Sequence, residues 1–203
     1  MRYVCVMLGS HIVFSCYGFW LPNDPRGSGS RVVRAQHLYD AGGEATRVDS
    51  RRSVAKRPHD RAIRLATKAA LARRPVVLTG EQACAVARGI ADLLPRLEAK
   101  LHALAVLPDH VHAVAAPHRL TPAKLRDALK RAATRGLNDA GLHPFRDHAR
   151  SNGKLPSPWA EQGWCVFLDT PDEMRGRIRY VEQNPGEAGL NPQRWSCVTP
   201  YAG

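Results

Sequence analysis

Alternating and continuous apolar segments predict four short β-strands in this chain. The predicted strands span residues 11–17, 101–107, 110–116 and 163–169. In the first, Ile12, Phe14 and Cys16 share one face, because successive side chains of a strand point to opposite sides. The second is an apolar run, which is typical of a strand that is buried on both faces.

Helical spacing of apolar positions follows three capping signals. Thr79–Gln82 and Thr170–Glu173 have the capping-box pattern, and Thr121 precedes a proline at the first helical position, Pro122. We expect Pro95 to end or kink the first of these helices, and residues 184–186 (Asn-Pro-Gly) to close the last one.

The order of these elements, β-α-β-β-α-β-α, predicts an α+β fold with a small antiparallel sheet and helices packed on one face. The chain has 203 residues, which fits a single domain over 1–203. Residues 24–74 are expected to form an inserted, loop-rich segment, in which thirteen Lys and Arg stand against five Asp and Glu. Its Gly-Ser repeat favours mobility.

The charge of the chain indicates a polyanionic partner. The formal net charge is +12 and the isoelectric point is near 10.1, which favours nucleic acid. No membrane partner is expected, because no segment approaches the ~20 apolar residues of a membrane span. The apolar stretch Tyr3–Leu8 is also too short for a signal peptide.

The cysteines predict reduced thiols in a cytoplasm. They are odd in number, scattered and without a Cys-x-x-Cys pair, which argues against a disulfide framework or a structural zinc site. They stand at Cys5, Cys16, Cys84, Cys165 and Cys197.

Two histidines on the third predicted strand form a candidate metal site. His110 and His112 are two positions apart, so both side chains project from one face and can converge on one ion. Taken alone, this pattern is weak, since many such pairs are accidents of a protein surface.

A second candidate motif lies on the last predicted helix. Tyr180 and Asn184 are one turn apart, on the flank of an apolar stripe that contains Met174, Ile178 and Val181. Alone, Tyr180 could be an ordinary boundary aromatic residue, and Asn184 a simple helix stop.

Together the two motifs supply complementary chemistry. A tyrosine hydroxyl has a pKa of about 10 and is a weak nucleophile at neutral pH unless it is assisted. A divalent ion held by His110, His112 and the amide oxygen of Asn184 would polarise a phosphate beside Tyr180. Nitrogen and oxygen donors of this kind suit Mg²⁺ or Mn²⁺, and zinc stays open.

The sequence resembles a known family at these motifs. Residues 107–114 (LPDHVHAV) resemble the His-hydrophobic-His motif of single-tyrosine transposases, and residues 178–190 (IRYVEQNPGEAGL) resemble their tyrosine helix. Residues 17–27 (YGFWLPNDPRG) are similar to one branch of the REP-associated tyrosine transposases and related bacterial proteins. The resemblance covers most of residues 10–190, and the inserted segment departs from the compact members.

The resemblance implies a ferredoxin-like, RRM-related fold and cleavage of single-stranded DNA near a hairpin. Tyr180 would attack the DNA, leaving a 5′-phosphotyrosine and a free 3′-hydroxyl that can later reverse the step. His110, His112 and Asn184 would be the ligands of Mg²⁺ or Mn²⁺, with Gln183 as the fallback for the third. A bacterial, nucleoid-associated protein in the cytoplasm is expected, acting as a monomer or as a homodimer that exchanges the tyrosine helix.

Five residues are candidate DNA contacts outside the histidine motif and the tyrosine helix. Lys124, Lys130 and Arg131 would follow a DNA backbone along one helix, although a solvated helix face explains them equally well. Trp159, in an irregular segment, would stack on a base, with the protein core as the competing position. Arg26 belongs to the basic inserted segment.

Three other functions compete with strand transfer by a tyrosine transposase. A replication-initiator or relaxase-like nickase shares the chemistry but usually orders the motifs differently or adds a third histidine. A domesticated, catalytically silent nucleic-acid-binding protein would not need Tyr180, His110 and His112 together. A metallohydrolase that uses water would leave Tyr180 dispensable.

Overall fold

The computed structural model describes residues 7–50 and 54–203. Most of the Tyr3–Leu8 stretch, together with Cys5, therefore lies outside the described residues. The strands are β1 (Gly9–Ser15), β2 (Leu101–Val106), β3 (His110–Ala115) and β4 (Trp164–Leu168). The helices are α1 (Gln36–Gly42), α2 (Arg61–Ala69), α3 (Gly80–Leu97), α4 (Pro122–Asp139) and α5 (Pro171–Glu187), with a 3₁₀ turn at Arg146–His148.

The four strands form one antiparallel sheet in the order β2-β3-β1-β4. Helix α3 connects β1 to β2, and α4 connects β3 to β4, so the core has the β-α-β-β-α-β order of a ferredoxin-like fold. The predicted α+β class and the four predicted strands are therefore confirmed. Among the described helices, none is both long and apolar enough to cross a membrane.

One face of the sheet packs against α3 and α4. Ile12, Phe14 and Cys16 of the first strand region lie in this core, as their alternation predicted. The two helices cross where Gly89 meets Gly136: a Cβ added to Gly136 would lie 3.0 Å from the Gly89 Cα and collide with the Ala85 carbonyl oxygen. The absence of side chains at this crossing lets the helix backbones approach closely.

The opposite face of the sheet packs against α5, which corrects the expectation of helices on one face only. Met174 and Val181 of α5 are fully buried against Val114, Val166 and other apolar residues of the strands. The physical reason is the sequence of the central strands themselves, since strands that are apolar on both faces require cover on both.

Both helix-internal prolines lie before the end of their helices. Pro95 is followed by two further helical residues in α3, and Pro185 by two in α5. Residues 184–186 were expected to close the last helix, but α5 ends one residue later, at Glu187. The two capping boxes at Thr79 and Thr170 are confirmed.

The inserted segment contains more regular structure than the sequence predicted. It holds α1 and α2, which pack against each other. Asn23 is buried just before it and donates hydrogen bonds to the carbonyl oxygens of Leu38 (2.7 Å) and Gly43 (3.2 Å), so it ties the end of α1 to the first strand's exit. The sequence did not predict these contacts, because each is made by an isolated polar residue and the Gly-Ser composition favours a loop.

Candidate active site

His110 and His112 lie on the sheet face that α5 covers. In the β1–β3 ladder, His112 is opposite Val13 and His110 is opposite Ser15. The Nε2 atoms of the two histidines are 2.8 Å apart. The prediction that both side chains leave one face of one strand and converge is confirmed.

The spacing of these two nitrogens fits a shared metal ion. Two imidazole nitrogens at ~2.1 Å from one ion, at an angle near 90°, are about 3 Å from each other. Within the described residues, no group of three or more His, Cys, Asp or Glu side chains could hold a metal. The histidine pair therefore needs a third donor of another type, which an amide oxygen can provide.

A second hydrogen bond orients each histidine ring. The Asp109 carboxylate lies 2.6 Å from Nδ1 of His110, and Nε2 of His11 lies 2.9 Å from Nδ1 of His112. A histidine that binds a metal through Nε2 carries its proton on Nδ1, and that N–H then donates to such a partner. Asp109 and His11 thus occupy the positions that fix the tautomer of each imidazole.

His11 was not recognised from the sequence. It lies on β1, its ring stacks on that of His112 with centroids 5.1 Å apart, and it is fully buried. No local pattern distinguishes it, since β1 also contains Ser10 and Ser15, and a lone histidine in a strand forms no motif. Only the pairing of β1 with β3 brings it to the site.

Burial keeps the two inner imidazoles neutral at physiological pH. Burial, and then Arg177 and His110, lower the pKa of His11 to about 3. Burial, and then His110, His11 and Arg177, lower the pKa of His112 to about 2. Neutral imidazole is the form that binds metals, so the surroundings favour the ligand form of His112.

Tyr180 of α5 lies directly beside the histidines. Its ring is perpendicular to that of His112 with centroids 5.6 Å apart, and perpendicular to that of His11 at 6.1 Å. The residue is 37% exposed, so one side remains open to solvent. The Arg177 guanidinium carbon is 5.5 Å from the Tyr180 ring centroid, which adds positive charge next to the phenol.

Asn184 follows Tyr180 by one helical turn and is buried, at 8% exposure. Its amide nitrogen donates to the Tyr180 carbonyl oxygen at 3.4 Å, which leaves the amide oxygen as the atom that can serve a cation. Gln183 is exposed instead. Asn184 and Gln183 point in different directions because consecutive residues of a helix are separated by about 100°.

An aromatic and basic group from residues 19–68 borders the other side of His110. The Phe19 ring stacks on the His110 ring with centroids 5.4 Å apart and planes 4° apart. The Lys68 ammonium nitrogen lies 5.4 Å from the Phe19 ring centroid. Gly18, with a φ of +78°, makes the turn that brings Phe19 to this place.

Two of the candidate DNA contacts are wrong, because their side chains are buried. Lys130 is 9% exposed, and its ammonium donates to the carbonyl oxygens of Ala160, Glu161 and Gln162 at 2.8–3.1 Å. Trp159 is 4% exposed, and its indole nitrogen donates to the Lys130 carbonyl oxygen. Both residues hold the irregular segment before β4 against α4.

Arg26 is also wrong as a candidate DNA contact. It is buried and forms a bidentate ion pair with Asp24 at 2.7 and 2.8 Å, while its guanidinium carbon lies 3.9 Å from the Trp20 ring centroid. These contacts commit the side chain to the protein interior. Lys124 and Arg131 are exposed and remain candidate DNA contacts.

No family model matches this chain, and no curated protein does. Among solved structures, the chain is similar to a REP-associated tyrosine transposase bound to a REP hairpin, at 12% identity and a TM-score of 0.45, over 100% of this chain and 98% of that one. It is also similar to a protein from Deinococcus radiodurans R1 described as a transposase, at 15% identity and a TM-score of 0.42, over 90% of this chain and 95% of that one.

Proposed function

We propose that this protein cleaves and rejoins single-stranded DNA near hairpins, with Tyr180 as the nucleophile, in DNA transposition or a related process. The observation that carries the proposal is the contact between the Tyr180 and His112 rings, together with the 2.8 Å distance between the Nε2 atoms of His112 and His110. A nucleophile and a metal-binding pair at one place on a basic protein are the parts that this reaction requires.

His110, His112 and Asn184 would hold the ion. Bound there, Mg²⁺ or Mn²⁺ would supply a Lewis acid that polarises a phosphate oxygen. His11 and Asp109 keep the two imidazoles in their ligand tautomers through the hydrogen bonds at their Nδ1 atoms. Burial of His112 excludes water from the inner side of the site.

Tyr180 performs the covalent step. Its hydroxyl oxygen attacks phosphorus, the bond from phosphorus to the 3′-oxygen breaks, and that oxygen keeps the electron pair. The tyrosine loses a proton and the 3′-oxygen gains one, so the products are a 5′-phosphotyrosine and a free 3′-hydroxyl. The reverse attack by a 3′-hydroxyl joins strands and releases Tyr180. Arg177 places a positive charge beside the phenol where negative charge develops.

The tyrosine acts on the metal site of its own chain. Met174 and Val181 anchor α5 in the core of the same chain, which supports attack in cis. A homodimer with exchanged helices would need this apolar surface to leave its own sheet.

The decisive experiment is a covalent-adduct assay. The protein is incubated with Mn²⁺ and a hairpin-bearing single-stranded DNA labelled at its 3′ end, and the products are separated under denaturing conditions. We expect a shifted, labelled band with the native protein and no such band with Tyr180→Phe. The phenylalanine keeps the aromatic ring against His112 and removes only the hydroxyl. Undiminished cleavage by Tyr180→Phe would indicate a metallohydrolase, and DNA binding without any cleavage would indicate a silent binding protein.

A further inference from the structure

Helix α2 of the inserted segment carries two cations beside the candidate active site. Arg64 and Lys68 are one helical turn apart, so their side chains lie on one face. Phe19 links this face to the metal-binding pair, because its ring stacks on His110 and lies 5.4 Å from the Lys68 ammonium nitrogen.

The ammonium group of Lys68 has no carboxylate at ion-pair distance among the described residues. Its half-buried ammonium makes no hydrogen bond and no ion pair with any residue in the ranges 7–50 and 54–203. The two carboxylates that raise its pKa are otherwise engaged: Asp24 binds Arg26, and Asp109 binds His110. Burial is the main influence on the pKa of Lys68 and lowers it, with Arg64 and Arg26 adding to the effect.

Arg64 also has an unsatisfied donor. Its Nε atom is buried and has no hydrogen-bond partner in the described part of the chain. A buried N–H without an acceptor costs free energy, and like charges at positions i and i+4 of a helix destabilise it further. Two adjacent cations in this state are expected where an anion from outside the chain completes the site.

We propose that Arg64 and Lys68 form a phosphate subsite that holds the sugar-phosphate backbone of the DNA strand next to the reacting phosphate. The inference rests on the proposed function for the identity of the strand. Guanidinium and ammonium groups together suit a phosphodiester, the first through its planar set of donors and the second as a mobile point charge. The inserted segment thereby has a role in substrate binding.

The subsite is tested by the salt dependence of DNA binding. Binding of a hairpin-bearing single-stranded oligonucleotide is measured by fluorescence anisotropy over a range of salt concentrations, with EDTA present so that no metal contributes. Each lost phosphate contact should reduce the slope of log K against log salt by about 0.7. Arg64→Gln with Lys68→Gln should therefore reduce it by about 1.4 and weaken binding roughly tenfold at 0.15 M salt.

Arg88→Gln with Arg96→Gln is the matched control, because both arginines are exposed on α3, which packs on the other face of the sheet. The control removes the same charge and should reduce the slope by less than half as much. The Tm of the α2 variant should equal or exceed that of the native protein, since a repulsive pair has been removed. An equal loss of slope in both variants would show that only net charge matters and would overturn the proposal.

Single substitutions keep the test valid if the double variant is unstable. Lys68→Arg should retain the slope of the native protein. Lys68→Gln should reduce the slope by about 0.7, which is half of the reduction expected for the double variant. An unchanged slope in a folded Lys68→Gln protein contradicts the subsite. The adduct assay tests the proposed function separately. If the native protein forms the adduct but the α2 variant has an unchanged slope, the phosphate subsite is wrong and strand transfer stands. If the α2 variant has a reduced slope but the native protein forms no adduct, strand transfer is wrong and the phosphate subsite stands.

Discussion

The ring of Tyr180 is perpendicular to the ring of His112, with centroids 5.6 Å apart, although the two residues are far apart in the sequence. The chain reaches this arrangement because α5 returns across the face of the sheet from which His112 projects. Tyr180 is 37% exposed, so the residue that contacts His112 is also open to solvent.

His11 should control the affinity of the site for its metal. His11→Ala removes the acceptor at Nδ1 of His112, so we expect Mn²⁺ to bind about 10- to 100-fold more weakly. His11→Gln offers an amide oxygen as acceptor and should retain a larger share of the affinity. Isothermal titration of the metal-free protein with Mn²⁺, without DNA, measures this directly.

His102→Ala is the control for that titration, because His102 lies on β2 and binds the Thr199 carbonyl oxygen instead. It should bind Mn²⁺ as the native protein does. Native affinity in His11→Ala would show that His112 needs no partner at Nδ1.

Cleavage in cis can be tested by mixing two inactive variants. If each Tyr180 serves its own chain, then Tyr180→Phe mixed with His110→Ala should form no adduct, since neither chain contains a complete site. The amount of adduct per native protein should also be independent of protein concentration. Restored cleavage in the mixture would show that helices are exchanged between chains.

Lys130 should stabilise the fold rather than bind DNA. Lys130→Met leaves three carbonyl oxygens without their donor, so we expect the free energy of unfolding in urea to fall by about 1–3 kcal/mol. Lys124→Met, at an exposed position of the same helix, should leave stability nearly unchanged. Equal stability of the two variants would contradict the structural role of Lys130.

The same residue should make stability depend on pH. Burial lowers the pKa of Lys130 in the folded protein to about 8, whereas an unfolded lysine has a pKa of about 10.4. Between these values the unfolded chain binds more protons, so this group makes the free energy of unfolding increase with pH. The difference in unfolding free energy between the native protein and Lys130→Met should therefore widen from about pH 8 to pH 10; a constant difference would contradict the lowered pKa.

The crossing of α3 and α4 should not accept a side chain. Gly136→Ala places a methyl group against the Ala85 carbonyl and the Gly89 backbone, and overpacking of this kind costs about 1–3 kcal/mol. Gly176→Ala in α5 is the matched control, because a Cβ there meets nothing within 4 Å. That control should be neutral or stabilising, as alanine is the better helix former. The Tm values of the two variants from thermal unfolding measure this difference, and equal Tm values would contradict the prediction.

Periodicity identified the elements that carry the site because those elements have strong local signals. Capping boxes at Thr79 and Thr170 and an apolar stripe on α5 depend on neighbours within a few residues, and the structure retains them. The expected sides of Tyr180 and Asn184 on that helix also follow from spacing alone. The two helices of the inserted segment were not predicted, since seven and nine residues give too few turns for a clear apolar periodicity.

The buried positions of Lys130, Trp159 and Arg26 could not be predicted in the same way. Lys130 and Trp159 are stabilised by partners that are close only in space: Lys130 by carbonyl groups some thirty residues away, and Trp159 by the backbone of α4. Arg26 pairs with Asp24, two residues away, but its burial still depends on how the chain folds around it. A basic or aromatic side chain has the same sequence pattern whether it faces solvent or such partners. The exposure of these three side chains could therefore be known only from the tertiary structure.

The sequence by itself determined the strand with His110 and His112, the helix with Tyr180 and Asn184, and the α+β class, because these depend on periodicity and local capping. Only the tertiary structure decided that α5 covers the second face of the sheet, that His11 orients His112, and that Phe19 stacks on His110 with Lys68 beside the Phe19 ring. These relationships arise from strand pairing and from apolar surfaces that meet across long separations. No local pattern encodes them.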